Sequence, residues 1–210
     1  PSLVEECYLT AKQEGADIVS YGEDRVTEDE CLLFQRIPSP PKPVFSGSEI
    51  MNDLVPMLLS YDSATGEDWR ISLSAWGSMY SMRIIREHNW RFVSEREIIS
   101  EDYYSVLSLY PHIKKVAYLD RALYYYTFNP NSLSQVFRRD RYQKIKFFAL
   151  AMTELSASMG YSSVLRNRIE SVYLGLSIGA LKQIMLSNES MHVKYGAVRE
   201  IIHDEYMQSV

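Results

Sequence analysis

The sequence has little cysteine, little histidine and no long apolar run, and each shortage removes a class of protein. Two cysteines, Cys7 and Cys31, occur in 210 residues. They have neither zinc-ligand nor redox spacing, which excludes a disulfide-stapled scaffold and points to a reducing compartment. The four histidines, His88, His112, His192 and His203, are far apart along the chain and form no His-Glu-x-x-His or Cys/His ligand set. Gly-x-Ser-x-Gly, Walker-type and Gly-x-Gly-x-x-Gly loops are missing. The longest nearly uncharged stretch, Ser171 to Leu181, falls short of the about 20 apolar residues that span a bilayer, and Lys182 follows it. No basic segment leading into an apolar run opens the sequence. A cytoplasmic protein is expected, soluble or at most membrane-peripheral. The formal net charge of −5 argues against a nucleic-acid partner.

Aromatic residues, by contrast, are plentiful: 16 Tyr, 7 Phe and 3 Trp. Hydrophobic residues make up 46% and charged residues 23%, a globular composition that supports a packed core and excludes wholesale disorder. Charge is uneven. Residues 1–134 carry 12 basic and 20 acidic side chains, and residues 135–210 carry 10 and 7. The sign changes where the pattern of predicted elements changes, so a boundary is placed near Gln135.

Before that boundary helices and strands mix. Helical spacing predicts a helix over Ser2–Glu14, ended by Gly15. Strands are predicted over Asp17–Val26 and Cys31–Ile37, with Thr27–Glu30 as the hairpin loop. The proline-rich segment from Pro38 to Pro43 breaks regular structure. Helices are predicted over Ser48–Leu59, where Pro56 perturbs the last turns, over Ser74–His88, and over Glu101–Leu109. Tyr61–Asp68 and Asn89–Ile99 read as loops. Lys115–Leu119 and Ala122–Phe128 read as two further strands, followed by turn chemistry at Asn129–Ser132. After Gln135 three helical patterns follow, over about 138–159, 163–186 and 191–207. The expected fold class is α+β, or partial α/β: a mixed sheet with flanking helices, then a C-terminal helical bundle.

Four segments carry chemistry. Ser100-Glu101-Asp102-Tyr103 puts two carboxylates at a helix start, where exposed N–H groups and the helix dipole stabilise their charged forms. A carboxylate so placed is a candidate general base, although acids also favour first turns for stability alone. Trp76-Gly77-Ser78-Met79-Tyr80 sets a flat indole beside a residue with no side chain, one wall of a carbohydrate pocket or a core aromatic at a tight turn. In Leu123-Tyr124-Tyr125-Tyr126 a strand places Tyr124 and Tyr126 on one face and Tyr125 on the other, both faces expected to be covered. Finally, Arg138, Arg139, Arg141, Lys144 and Lys146 concentrate positive charge at a helix start, the unfavourable end of the dipole. They are candidates for contact with anionic lipid or a phosphate-bearing acceptor, or form a solvated face.

In their order along the chain these segments resemble the second half of the catalytic domain of family 2 glycosyltransferases, enzymes of the A-type fold that use nucleotide-sugar donors. Ala16–Gly22 is similar to the strand after the donor-binding part. Ser74–Tyr80 with Ile84–Phe92 is similar to the family's tryptophan- and tyrosine-bearing stretch. Ser100-Glu101-Asp102 matches its Glu-Asp pair, and Tyr118–Ser134 resembles its closing strands and the loop after them. The likeness covers residues 1–134.

The resemblance implies that Asp102 is the catalytic base, supported by Glu101, in an inverting transfer to a glycan or lipid-linked acceptor. It implies that Trp76, Tyr80 and Tyr126 bind that acceptor. Two departures bear on this. No Asp-x-Asp occurs in the sequence, so no metal site is expected here, and the Mg2+ or Mn2+ of a full-length parent would be held elsewhere. Thr127, Phe128 and Asn129 stand where members often carry a basic residue. Because the sequence opens at Pro1 and shows no donor-binding half, the chain is expected to be an incomplete, inactive fragment: an acceptor-side part (1–134) and a helical extension (135–210). The alternative is a truncated, non-catalytic relative that binds a saccharide or a partner. An exposed sheet edge left by the missing half is expected to allow self-association.

Overall fold

The computed structural model describes residues 2–59, 71, 73–129, 138–160 and 163–210. The sequence expectations for Tyr61–Asp68, Pro130–Ser134 and Gln135 lie outside these residues. The chain forms two compact units, Pro1–Ser94 with Ser100–Phe128, and Glu95–Ile99 with Asn129–Val210.

In the first unit, α1 (Ser2–Glu14) is followed by β1 (Ile18–Val26) and β2 (Leu32–Arg36). Gly15 ends the helix in the left-handed region at φ 67, which glycine reaches without a Cβ clash. β1 and β2 pair as the predicted antiparallel hairpin. The remaining elements are β3 (Val44–Ser46), a π-helical turn over Ile50–Leu54, α2 (Val55–Leu58), β4 (Ser78–Tyr80), α3 (Met82–Glu87), α4 (Glu101–Leu109) and β5 (Lys115–Thr127). The sheet runs β2-β1-β5-β3, and β4 pairs with the first residues of β1. β1 and β5 are parallel; β2, β3 and β4 pair antiparallel with their neighbours. The sheet is therefore mixed, with flanking helices, as expected.

Burial explains which face each residue takes. Cys7 of α1, Val19 of β1 and Ala117 of β5 form a buried cluster, with Leu3, Ala11 and Tyr21 packed around it. Burial pushes the Cys7 thiol pKa up to about 11, with the Glu6 charge adding to it. Ile18, Val116 and Tyr118 alternate with these residues and are buried as well. A strand covered on both faces shows continuous rather than alternating burial, as the first half of β1 does. At the edge, β2 instead exposes Leu32, Leu33 and Phe34.

In this unit four elements differ from the sequence expectation, through strand pairing or proline. The segment expected as one helix over Ser74–His88 is a 3-10 turn (Ala75–Gly77), then β4, then α3. Ser78–Tyr80 finds a ready edge in Ile18–Ser20, which a helix could not use. The two strands expected over 115–128 are one strand. Ser20 faces Tyr118 and Gly22 faces Ala122, so β5 bulges outward around Asp120 and continues. Gly22 sits at this irregularity because a Cβ there would lie 2.5 Å from the Arg36 carbonyl oxygen. The third difference, β3, had no local signal. The helix expected over Ser48–Leu59 is divided between a π turn and α2. Pro56 has no N–H to continue the regular ladder, and the Val55 N–H bonds instead to the Ile50 carbonyl, five residues back.

Asp17 ties these pieces together. Its side chain is 9% exposed. Its carboxylate accepts from the Lys114 N–H at 2.8 Å and from Arg83 Nη2 at 3.1 Å. Its own N–H bonds to the Lys115 carbonyl, and its carbonyl accepts from the Ser81 N–H. One residue thus fixes the start of β5 and the end of β4 against β1.

In the second unit α5 (Arg141–Ser158) and α6 (Ser163–Leu186) pack together with α7 (Met191–Ile202), and α8 (Glu205–Ser209) follows. Tyr142, Ile145, Ala149, Tyr173, Ala180, Ile184 and Ile201 form the core. The buried hydroxyls of Tyr142 and Tyr173 bond to each other at 2.9 Å. The helix expected over 191–207 is broken after Ile202, where Asp204 caps α8 by accepting from the Tyr206 and Met207 N–H groups. α6 runs on through Lys182. Its Leu165–Leu186 stretch of 22 residues is therefore long and apolar enough, by length and composition, to cross a membrane, which corrects the expectation of a shorter run; 28% of its most apolar window is buried within the protein.

The histidines, distant in sequence, are not all distant in space: His88 and His112 stack with ring centroids 3.7 Å apart. Burial lowers the His112 pKa, the His88 charge lowers it further, and Glu87 opposes both. Below its ordinary value of 6.5, the unfolded chain takes up the proton more readily than the folded one. Stability contributed by the neutral imidazole is therefore present at neutral pH and is lost as pH falls from about 6.5 through the lower folded value. Urea midpoints measured between pH 7.5 and 5 (on the order of the histidine range) should fall, and His112→Gln should flatten that slope. Independently, Asp17→Ala should lower the unfolding free energy by about 2–3 kcal/mol in urea titration, because two hydrogen bonds to a buried carboxylate, from the Lys114 N–H and from Arg83, are lost.

Candidate functional site

Asp102 lies in the first turn of α4, after Ser100, which has a left-handed backbone (φ 56, ψ 44). A non-glycine residue in this region stores strain where the chain must turn sharply. The turn brings Asp102 Oδ2 to the Ala75 N–H at 3.1 Å, so the carboxylate is fastened to the residue before Trp76, on a segment 27 positions earlier. Two phenols feel its charge. Burial raises the Tyr80 pKa well above the ordinary phenol value; its bond with Ser78 opposes this, and the Asp102 carboxylate adds to it. Tyr103 is raised in the same way, by burial and by Asp102, with Arg36 acting against them. Asp102 is half-buried, as is Glu101 beside it. A carboxylate in this setting can accept a proton and stay oriented while doing so.

Trp76 sits on an aromatic platform. Its ring stacks on Tyr124 (centroids 5.0 Å apart, planes at 23°) and tilts against Tyr126 at 5.1 Å. The Arg25 guanidinium lies 3.7 Å over the Tyr126 ring and 5.9 Å from that of Trp76, a cation–π arrangement. Arg25 Nε in turn donates to Glu23 Oε1 at 2.9 Å. Glu23 is 5% exposed, and its other carboxylate oxygen has no hydrogen-bond partner among the described residues. The Tyr21 hydroxyl donates to the Trp76 carbonyl; burial, with the Cys7 and Tyr124 charges, pushes its pKa up to about 12.

Strand geometry accounts for the platform. Glu23 pairs with Tyr124 and Arg25 with Tyr126, so alternate residues of β1 and β5 share one face. Tyr125 points to the other face and is 74% exposed, contrary to the expectation that both faces are covered. The three residues expected to bind an acceptor are thus divided. Trp76 and Tyr126 share the platform, whereas Tyr80 stacks on Trp90 (6.3 Å) and is held in place there, since Trp90 Nε1 donates to the Ser105 carbonyl.

Arg25, Glu23 and Tyr21 carry no site signal in the sequence; Tyr103 and Tyr124 lie in the chemistry-bearing segments without a role assigned to them. Only the period-two alternation of β1 could have grouped Tyr21, Glu23 and Arg25, and nothing local joins them to Trp76. Arg25 also supplies, from the neighbouring strand, a cation next to Tyr126 where Thr127–Asn129 carry none.

In the second unit the basic cluster is largely ion-paired. Arg138 donates to Asp140, and Arg139 makes a two-pronged contact with Glu189. Lys144 reaches the Arg96 carbonyl and Asp140, and Lys146 reaches Asp204. Arg138, Arg139 and Arg141 line a cavity; Lys144 does not. Among the described residues no three His, Cys, Asp or Glu side chains are grouped to hold a metal ion.

No family model matches the sequence, and no curated protein matches it. Among solved structures the chain is similar to TarS residues 1–349 of S. aureus, a glycosyltransferase crystallised in complex with UDP. The TM-score is 0.45 and the sequence identity 13%, over 82% of this chain. The chain spans 41% of the length of that structure.

Proposed function

We propose that this chain forms the acceptor-side part, with a helical extension, of a family 2 glycosyltransferase that moves a sugar from a nucleotide-sugar donor to a glycan or lipid-linked acceptor with inversion. The observation that carries this reading is the bond from the Ala75 N–H to Asp102 Oδ2. It joins the Glu-Asp pair to the tryptophan-bearing turn, two of the motifs on which the resemblance rests.

In the proposed reaction an acceptor hydroxyl gives its proton to Asp102 as its oxygen attacks the anomeric carbon. The bond from that carbon to the donor's phosphate oxygen breaks, and the nucleoside diphosphate leaves with the electron pair. The Ala75 N–H keeps one carboxylate oxygen oriented, leaving the other to accept the proton. Stacking on indole and phenol faces, as Trp76 and Tyr126 offer, suits the apolar face of a sugar ring. The described residues do not fit a divalent cation site, and no step here uses one. The chain alone is proposed to be inactive, with Mg2+ or Mn2+ and the nucleotide held by a donor-binding half of the parent enzyme.

A second reading rests on the platform itself. Trp76, Tyr124, Tyr126 and Arg25 could hold a saccharide without turnover, as in a non-catalytic relative. The two readings separate in one experiment. In the intact enzyme, Asp102→Asn should lower kcat by about 10²–10⁴-fold with an unchanged melting temperature and little change in acceptor affinity. Trp76→Ala should weaken acceptor binding. Wild-type transfer by the Asp102→Asn enzyme overturns the catalytic reading. Calorimetric titration of this chain with uridine and guanosine diphosphate sugars plus manganese should show no binding.

A further inference from the structure

The cavity in the helical unit has a volume of about 210 Å³ and two kinds of wall. One wall is cationic: Arg138, Arg139 and Arg141 all come from the short segment that opens α5. The other is apolar, made by Ile184 of α6 and by Val193, Ala197 and Ile201 of α7. Glu200 is the acid among the lining residues, and its carboxylate is taken by the Gln143 side-chain amide at 2.6 Å.

Three guanidinium groups gather at the positive end of an 18-residue helix, where the dipole disfavours cations. Asp140 and Glu189 answer Arg138 and Arg139. Arg141 is half-buried; burial lowers its pKa, and the neighbouring Arg138 charge lowers it further. An anion in the cavity would offset the dipole, the burial and the like-charge pair together. Guanidinium forks match phosphate and carboxylate oxygens two at a time. The apolar wall then needs a tail: water against Ile184, Val193 and Ile201 is poorly partnered.

We propose that this cavity binds a small anionic amphiphile, a phosphate or carboxylate head on a short apolar chain, with the head between Arg138 and Arg141 and the chain against Ile184, Ala197 and Ile201. The volume, below the usual range for drug-sized ligands, sets the ligand's size. The site is independent of the glycosyl-transfer reading, since none of its residues belongs to the sheet-bearing unit. The head group has two sources, a free amphiphile or a lipid at a bilayer surface, and the probes distinguish them.

The test is calorimetric titration of the full chain with hexyl phosphate, inorganic phosphate and hexanol, beside co-sedimentation with vesicles of phosphatidylcholine and phosphatidylglycerol in equal parts. Hexyl phosphate should bind one site at least about tenfold more tightly than inorganic phosphate, since each buried methylene adds affinity. Arg141→Gln and the cavity-filling Ala197→Leu should each weaken binding about tenfold or more, and Arg141→Lys should recover only part of it. Melting temperatures close to wild type establish that each variant is folded. Vesicle binding that falls with Ala197→Leu identifies a bilayer lipid as the source; hexyl phosphate binding without vesicle attachment identifies a free amphiphile. Equal affinity for hexyl and inorganic phosphate, or vesicle binding indifferent to Ala197→Leu with no hexyl phosphate binding, overturns the proposal.

Discussion

The sheet-bearing unit depends on one buried carboxylate. Asp17 stands at the entry to β1 and bonds to Lys114, Lys115, Ser81 and Arg83. Burying a charge is expensive unless it is hydrogen-bonded, and this one is met by the Lys114 N–H and the Arg83 guanidinium, while the Asp17 backbone N–H and carbonyl align β5 and β4 against β1. The register of both neighbours follows. Ile18 meets Val116 on one side and Tyr80 on the other, and the residues beyond fall into place at strand spacing.

The candidate site is a consequence of that register. Because β5 continues past its bulge, Tyr124 and Tyr126 lie beside Glu23 and Arg25. Because β4 is a strand, the turn before it carries Trp76 onto the same aromatic group, while the Ala75 N–H is left to meet Asp102. Asp102 and the platform are thus connected through a single short segment, Ala75–Tyr80. A displacement of β4 would move both.

Long elements with their own local signals were legible from composition and spacing. These include α1 with its glycine stop, the β1–β2 hairpin around Thr27–Glu30, α4 behind Ser100, and the full length of α6. Acids at a helix start and an indole beside glycine made Asp102 and Trp76 candidates, and the family resemblance, not the local pattern, gave them roles. Short strands were not legible. β3 and β4 have three residues each, too few for a period-two pattern to differ from chance. Ser74–His88 read as one helix because Ile84 and Ile85 follow a run of residues that a helix also tolerates. Its strand exists only because β1 offers an open edge.

Local chemistry therefore decided which residues were able to act, and long-range pairing decided which of them meet. Helix caps, turn residues and apolar periodicity are interactions over a few positions, and a sequence displays them directly. The stacking of His88 on His112, the placement of Arg25 over Tyr126, and the bond from Ala75 to Asp102 join positions 24, 101 and 27 apart. No local pattern encodes such contacts. They arise when the entropy lost in closing long loops is offset by burying Ile18, Val19, Val116 and Ala117 in one sheet, so they exist only in the folded chain.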